Sequence, residues 1–146
     1  MFSGRPEQKI LQWRDFRSHL NIWPDSIFMI TEQWAKAPLS NIYLAYDHIE
    51  QWPDAWSLIN DGIYCDISVA LGMFYTLYYS EYEHKDLMKI ECYKLVDKHQ
   101  ILNLVNLEDG KYMLNWSVGE AVNILSLGAL PQPMHTVFAK DLPIKR

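Results

Sequence analysis

The sequence predicts a single α+β domain, with helices in the first half and a small antiparallel sheet in the second. Up to residue 80 apolar residues recur at helical spacing, whereas two β-type runs and a hairpin turn lie between Ile90 and Trp116. The length of 146 residues suits one domain, since domains most often have about 100–150 residues. We therefore expect one core, formed where the best-patterned helix packs on the sheet.

Composition and charge exclude several classes of protein. Apolar residues make up 49% of the chain and charged residues 21%, which is ordinary for a globular protein and too apolar for a disordered one. The formal net charge of -5 argues against a nucleic-acid partner, because phosphate binding needs a dense basic face. No stretch has the character of a signal peptide or the length of a membrane span, so we expect a cytoplasmic protein without a membrane partner.

The two cysteines favour a reducing compartment. Cys65 and Cys92 make neither a disulfide framework nor a closely spaced pair of metal ligands. His84 and His99, the histidines nearest to Cys92, also lack the close spacing of zinc ligands. We expect no metal and no cofactor.

Four helices are expected before the central one. Residues 5–20 alternate apolar and charged side chains at helical spacing. The triplet Trp-Pro-Asp occurs at Trp23 and again at Trp52, each time before an apolar segment, and proline and an acid suit the start of a helix. A further helical stretch is expected over residues 40–49.

The most regular helix pattern follows the turn signal Asn60-Asp61-Gly62. Over residues 66–80 the apolar side chains fall on one helix face, and Cys65 stands at the start of that helix. Two β-type runs come next, at 90–96 and 100–107.

After these runs, Asp109-Gly110 supplies a hairpin turn, and residues 111–116 return as a third strand. The tail from residue 130 contains Pro131, Pro133 and Pro143 among apolar residues. We interpret residues 1–129 as the domain and residues 130–146 as an extended arm, with disorder as the alternative for the arm.

Cys65 is the candidate nucleophile. A cysteine at a helix N-terminus meets unpaired backbone N–H groups and the positive end of the helix dipole, both of which favour thiolate over thiol. His99 begins the second strand and Asn115 ends the third, so a hairpin would bring a base and its orienting partner together. The alternative is structural, because buried free cysteine is common and a lone histidine beside a strand is more often a hydrogen-bonded structural residue.

The hairpin turn decides how far apart these residues lie. A loop that pairs Leu107 with Lys111 puts Asn115 opposite Asn103. His99 then lies four residues further along the strand, too far for a hydrogen bond at about 3.3 Å per residue. A bulge or a wider loop is needed for Asn115 to orient His99.

The order of these residues resembles that of papain-type peptidases and the transglutaminase-like superfamily, in which a helix-borne cysteine, a strand-borne histidine and an amide or acid on the next strand follow one another. The segments His99-Gln-Ile-Leu-Asn-Leu-Val and Gly110-Lys-Tyr-Met-Leu-Asn115-Trp-Ser are similar to the two strands of that set. Trp52-Pro-Asp-Ala-Trp-Ser-Leu-Ile59 resembles the segment before the nucleophile in bacterial transglutaminase-like cysteine peptidases.

This resemblance implies a cysteine-dependent hydrolase or acyl transferase that acts on peptide bonds or glutamine amides of a protein substrate. Cys65 would attack the carbonyl carbon, His99 would move the proton and Asn115 would orient the imidazole. The backbone N–H of Cys65 would bind the oxyanion, with Asn60 or Gln51 as side-chain candidates.

A non-catalytic protein on the same scaffold is the alternative. Of the acidic calcium-binding cluster found near the nucleophile in the bacterial peptidases, this sequence keeps Asp66. The incomplete motif, the six tryptophans and nine tyrosines and the Pro-punctuated apolar tail favour a component of a larger assembly, such as a phage or virus particle.

Overall fold

Four α-helices and a five-stranded sheet form the described part of the chain, residues 1–41 and 44–144 of a computed structural model. The helices are α1 (Pro6–Ser18), α2 (Asp25–Trp34), α3 (Ala55–Asp61) and α4 (Asp66–Tyr78). The strands are β1 (Lys89–Leu95), β2 (Gln100–Leu107), β3 (Tyr112–Leu114), β4 (Ala121–Val122) and β5 (His135–Phe138). Every helix of the described residues falls short of the length and hydropathy that a membrane span requires.

The strands lie in the order β4-β3-β2-β1-β5, and each neighbouring pair is antiparallel. β1 to β4 follow one another as a meander, and the chain then returns to place β5 against the free edge of β1. α4 packs on β1 and β2. Helices in the first half and an antiparallel sheet in the second confirm the predicted α+β class.

The two Trp-Pro-Asp triplets lead into α2 and α3, as the sequence predicts. Asp25 is the first residue of α2. The Asp54 carboxylate accepts a hydrogen bond of 2.8 Å from the backbone N–H of Ser57 in the first turn of α3. Acids at this end of a helix satisfy free N–H groups and complement the helix dipole.

The prediction of a helix over residues 40–49 is wrong for the residues of this range that the structure describes. They contain a turn and the start of the 3-10 helix Ile49–Gln51. Residues 42 and 43 lie outside the described part. Backbone pairing explains the difference, because Ser40 donates its N–H to the carbonyl of Tyr64 at 2.8 Å and so continues an extended contact beside α4.

α4 is buried around its whole circumference. Every residue from Ile67 to Leu77 is buried, because α2, α3 and the sheet cover different sides of the helix. A helix that is apolar on all faces belongs in a protein core. α4 is thus the element around which the others pack.

Close packing in the middle of α4 depends on a glycine. A Cβ atom added at Gly72 would lie 2.2 Å from the ring of Trp34 in α2. Any larger residue at this position would therefore push α2 away from α4.

One hydroxyl joins three helices beside this contact. Thr76 Oγ1 accepts hydrogen bonds of 3.0 Å from the indole N–H groups of Trp13 in α1 and Trp34 in α2. It also donates one of 2.7 Å to the carbonyl of Gly72. Both indoles are buried, where an N–H without a partner costs about 1–3 kcal/mol.

The face of the sheet that points away from α4 carries a smaller core. Its buried members are Tyr93, Leu102, Leu104 and Met113. The chain after β3 covers this cluster with partly buried side chains, among them Trp116, Ile124, Leu127 and Leu130. One sheet therefore separates two hydrophobic clusters.

The stretch predicted as an arm, residues 130–146, contains β5. Val137 of this strand pairs with Ile90 of β1 and is buried in the main core. The division of the chain into a domain of residues 1–129 and an arm stays a prediction, and Lys145 and Arg146 lie outside the described residues.

We expect Thr76→Val to lower the free energy of unfolding by about 2–4 kcal/mol, because it leaves the indole N–H groups of Trp13 and Trp34 buried without an acceptor. Thr76→Ser keeps the hydroxyl and should cost about 1 kcal/mol for the lost methyl group. Urea denaturation of both variants measures the difference. Equal losses would mean that the hydroxyl does not hold the three helices together.

Candidate functional site

Cys65 is the residue immediately before α4. Its backbone is extended, and its carbonyl accepts a hydrogen bond of 3.0 Å from the N–H of Val69. The chain reaches this point from α3 through Gly62, whose φ of 65° lies in the left-handed region that glycine adopts easily. Cys65 is thus the N-cap residue of α4, as the helix pattern predicts, but its side chain makes no hydrogen bond to the N–H groups of the first turn.

The sulfur of Cys65 is enclosed by its neighbours, and the residue is 3% exposed. The backbone N–H of Leu44 donates to Sγ at 3.3 Å. The hydroxyl of Ser68 lies 3.2 Å from Sγ. Neither group can take up the thiol proton at neutral pH.

Asp66, the first residue of α4, binds two side-chain amides. Its carboxylate accepts hydrogen bonds of 2.8 Å from Asn103 Nδ2 and 3.0 Å from Asn115 Nδ2. The Asn115 amide also donates to the backbone carbonyl of Asn103 at 2.9 Å. These three residues, which we call the Asp66 network, join the start of α4 to β2 and to the end of β3.

Asn115 reaches this network because the chain turns directly after β3. Its φ of 74° is left-handed, which asparagine tolerates better than most residues. The register of the preceding hairpin differs from the predicted one, since Leu107 pairs with Tyr112 and not with Lys111. The loop is one residue wider because three of its residues have positive φ, namely Glu108, Asp109 and Gly110.

His99 lies in the turn between β1 and β2, where it is exposed and has a φ of 49°. Asn103, which binds Asp66, is four residues further along β2, or about 13 Å at about 3.3 Å per residue. The structure thus brings Asn115 to the residue next to Cys65 and leaves His99 at the outer end of the hairpin. The catalytic roles of Cys65, His99 and Asn115 remain predictions.

Asn103, Cys92 and His135 form one row across β2, β1 and β5. Cys92 pairs with Asn103 on one side and with His135 on the other, so the three side chains point to the same face of the sheet. This is the face that meets α4, because Asn103 donates to Asp66. The His135 ring makes an edge contact with Tyr46, with 5.9 Å between ring centroids.

Cys92 is buried in the middle of this row. Burial raises the pKa of Cys92 to about 11, and the negative charge of Asp66 adds to the effect. The side chain is therefore a neutral thiol at physiological pH, which makes it a poor nucleophile.

A cavity of about 230 Å³ lies beside Cys65. Leu44 and Ser68, which contact the sulfur, line it together with Gln51. The side-chain amide of Asn60 lies 3.5 Å from the carboxylate of the adjacent Asp61. Gln51 is thus on the cavity wall, and the oxyanion roles of Gln51 and Asn60 remain predictions.

A cysteine stands directly before a buried central helix, and an antiparallel sheet follows that helix in the chain. The chain is similar to calcium-bound LapG from Legionella pneumophila, with a TM-score of 0.70 and 12% identity over 94% of this chain and 78% of that chain. EGTA-treated LapG gives the same TM-score and identity, over 94% of this chain and 76% of that chain. This likeness shows the fold alone and confirms the predicted fold class.

No protein-family model matches the chain, and no curated protein matches its sequence.

The residues at the start of α4 do not fit a calcium site. Calcium takes about six to eight oxygen ligands, whereas Asp66 is met by amide N–H donors from Asn103 and Asn115. Across residues 1–41 and 44–144, no group of three or more His, Cys, Asp or Glu side chains is placed to hold a metal ion. The ring atom Nε2 of His84 lies 3.2 Å from the carboxylate of Glu83, its neighbour in sequence.

In the row of Asn103, Cys92 and His135, the first and the last could have been recognised from the sequence, although not from helix or strand spacing. Asn103 and Asn106 interrupt the apolar run of β2, and a buried polar residue in a strand needs a hydrogen-bond partner. His135 begins the run His-Thr-Val-Phe, whose composition is typical of a strand. The nearby prolines, however, favour an extended arm over a strand at this point.

We expect Asp66→Asn to lower the free energy of unfolding by about 1–2 kcal/mol, because the amides of Asn103 and Asn115 would lose a charged acceptor. Asp97→Asn, at an exposed acid in the turn after β1, is the control and should change stability by less than about 0.5 kcal/mol. Urea denaturation measures both variants. A loss no larger than that of the control would show that the Asp66 network does not contribute to stability.

Cys92 should make the fold less stable in alkaline solution. Because its pKa is about 11 in the folded chain against an ordinary value of 9.0, the unfolded chain loses the proton first as the pH rises. The neutral thiol of Cys92 therefore contributes to the free energy of unfolding. This contribution is fully present below about pH 9 and is lost as the pH approaches about 11.

Wild type should therefore lose more stability between about pH 8 and about pH 10.5 than Cys92→Ala, which has no thiol to ionise. Urea denaturation at the two pH values measures the difference. Parallel losses in the two proteins would rule out a contribution from Cys92.

Proposed function

We propose that this chain is a non-catalytic protein that binds a partner in a larger assembly through a peptidase-like scaffold. One observation carries the proposal: the β2 side chain that meets the first turn of α4 is the amide of Asn103. In the transglutaminase-like peptidases that the sequence resembles, a strand-borne histidine is expected to serve the cysteine. An amide cannot accept the proton of a thiol, so Asn103 cannot act as a general base.

The surroundings of the Cys65 sulfur support this proposal. Sγ is buried and lies within hydrogen-bonding distance of Leu44 N–H and the Ser68 hydroxyl, as expected of a structural thiol. The Asp66 carboxylate, which could otherwise orient a base, accepts from Asn103 and Asn115 instead. The Asp66 network thereby holds α4 to the sheet. A fold can be kept while its site changes, so the scaffold alone does not imply catalysis.

A second candidate function is a cysteine-dependent hydrolase of peptide bonds or glutamine amides, and the position of His135 favours it. His135 lies in the same row as Asn103, on the sheet face that meets α4. Cys65 would give its proton to an imidazole, that of His135 or of the predicted His99, as sulfur attacks the carbonyl carbon. The leaving amine would take that proton, and water would then hydrolyse the thioester.

The reactivity of Cys65 separates these functions. At near-neutral pH we expect iodoacetamide to label Cys65 at least about tenfold more slowly in the native chain than in urea, because the residue is 3% exposed. Peptide mapping assigns the label to Cys65 or Cys92. His135→Ala and His99→Ala should leave the native rate unchanged, since neither imidazole activates the sulfur under this proposal.

Fast labelling would overturn the non-catalytic function. If native Cys65 reacts faster than the unfolded chain and His135→Ala removes the excess, the hydrolase is correct and His135 is its base. Loss of the excess in His99→Ala would select His99 instead. Circular dichroism of each variant verifies that it is folded, so a lower rate cannot come from misfolding.

A further inference from the structure

An open groove lies at the outer end of the β1–β2 hairpin, beside the smaller core. It is a cavity of about 570 Å³ between the turn at residues 94–98, Trp116 and the chain segment near Leu130. We call it the hairpin groove. Its walls are largely apolar, with contributions from Leu95, Val96, Leu127 and Pro131.

A second cavity, of about 440 Å³, adjoins the hairpin groove. Leu130 and Pro131 line both cavities, so this segment crosses the smaller core with open space on either side. Val96 in the first cavity is 69% exposed and Leu125 in the second is 88% exposed. Exposed apolar side chains around two adjoining cavities are typical of a binding surface.

The rim of the hairpin groove is positive although the chain is acidic. Lys94 and Lys98 are exposed residues of its lining, and Asp97 is the acid between them in sequence. Two positive charges and one negative charge give the lining a net charge of +1, against -5 for the whole chain. The charge of this surface therefore suits an anionic ligand.

We propose that the hairpin groove binds an acidic segment of a partner protein. Apolar side chains of that segment would occupy the space between Trp116 and Val96, and its carboxylates would lie next to Lys94 and Lys98. The inference rests on the proposed function, because it assigns the assembly partner a surface and a chemistry. Apolar contact would supply most of the affinity, and the charge pairs would supply specificity and a faster encounter.

Charge also argues against a nucleic acid as the occupant. A nucleic acid needs a denser basic face than Lys94 and Lys98 provide. A segment that combines carboxylates with apolar side chains matches both the walls and the rim.

A random dodecapeptide library panned against the whole chain tests this chemistry without a known partner. We expect enriched peptides to combine Asp or Glu with large apolar residues. A synthetic copy of the most enriched peptide should change the tryptophan fluorescence of wild type. This change should be absent in Trp116→Phe. Calorimetry measures the binding of the peptide to that variant.

Charge reversal at the rim locates the peptide. Lys94→Glu combined with Lys98→Glu should raise Kd at least about tenfold. Arg14→Glu combined with Lys36→Glu makes the same change in net charge at exposed positions of the helical part and should leave Kd within about twofold.

The experiments distinguish a wrong binding assignment for the hairpin groove from a wrong proposed function. The binding assignment is wrong if no peptide is enriched, if basic peptides are enriched, or if the two double variants have equal Kd. None of these results contradicts the proposed function. If wild type cleaves the peptide and Cys65→Ser does not, the proposed function fails. Binding that Cys65→Ser leaves unchanged and the rim variant loses supports the inference.

Discussion

The burial of α4 on every side is the constraint on which the rest of the structure depends. A helix without an exposed face can satisfy its polar groups only from the elements around it, and Thr76 does so by accepting the indole N–H groups of Trp13 and Trp34. The same approach of α2 to α4 requires Gly72, because a Cβ atom there would overlap the Trp34 ring. Shape and one hydroxyl thus set the positions of α1 and α2, and the sheet covers a further side of the helix.

Since the body of α4 is held in place, its first turn meets the sheet at one defined point. Cys65 and Asp66 arrive there together with Asn103 and Asn115, and the polar groups bind one another. The Asp66 carboxylate accepts hydrogen bonds from two side-chain amides, so it does not require a cation or an imidazole as a further partner. These hydrogen bonds therefore fasten the start of α4 to the sheet.

The two faces of the sheet are covered in different ways. Helices pack on one face, whereas the irregular chain after β3 crosses the other and leaves adjoining cavities of about 570 and 440 Å³. The cavity beside Cys65 is smaller, at about 230 Å³. Irregular segments cannot cover a flat apolar surface as completely as a helix does, so open space remains over the smaller core.

The sequence by itself determined the elements that short-range patterns encode. The helix expected over residues 66–80 is Asp66–Tyr78, and the run at 100–107 is β2, because helical spacing and strand composition depend on neighbouring residues. The tertiary structure decided the contacts between distant segments, including the pairing of β5 with β1 that places His135 beside Cys92. It also decided that Asn103 meets the first turn of α4. A one-residue change in a hairpin loop or a strand pairing moves each side chain by several ångströms, and no short-range pattern specifies it.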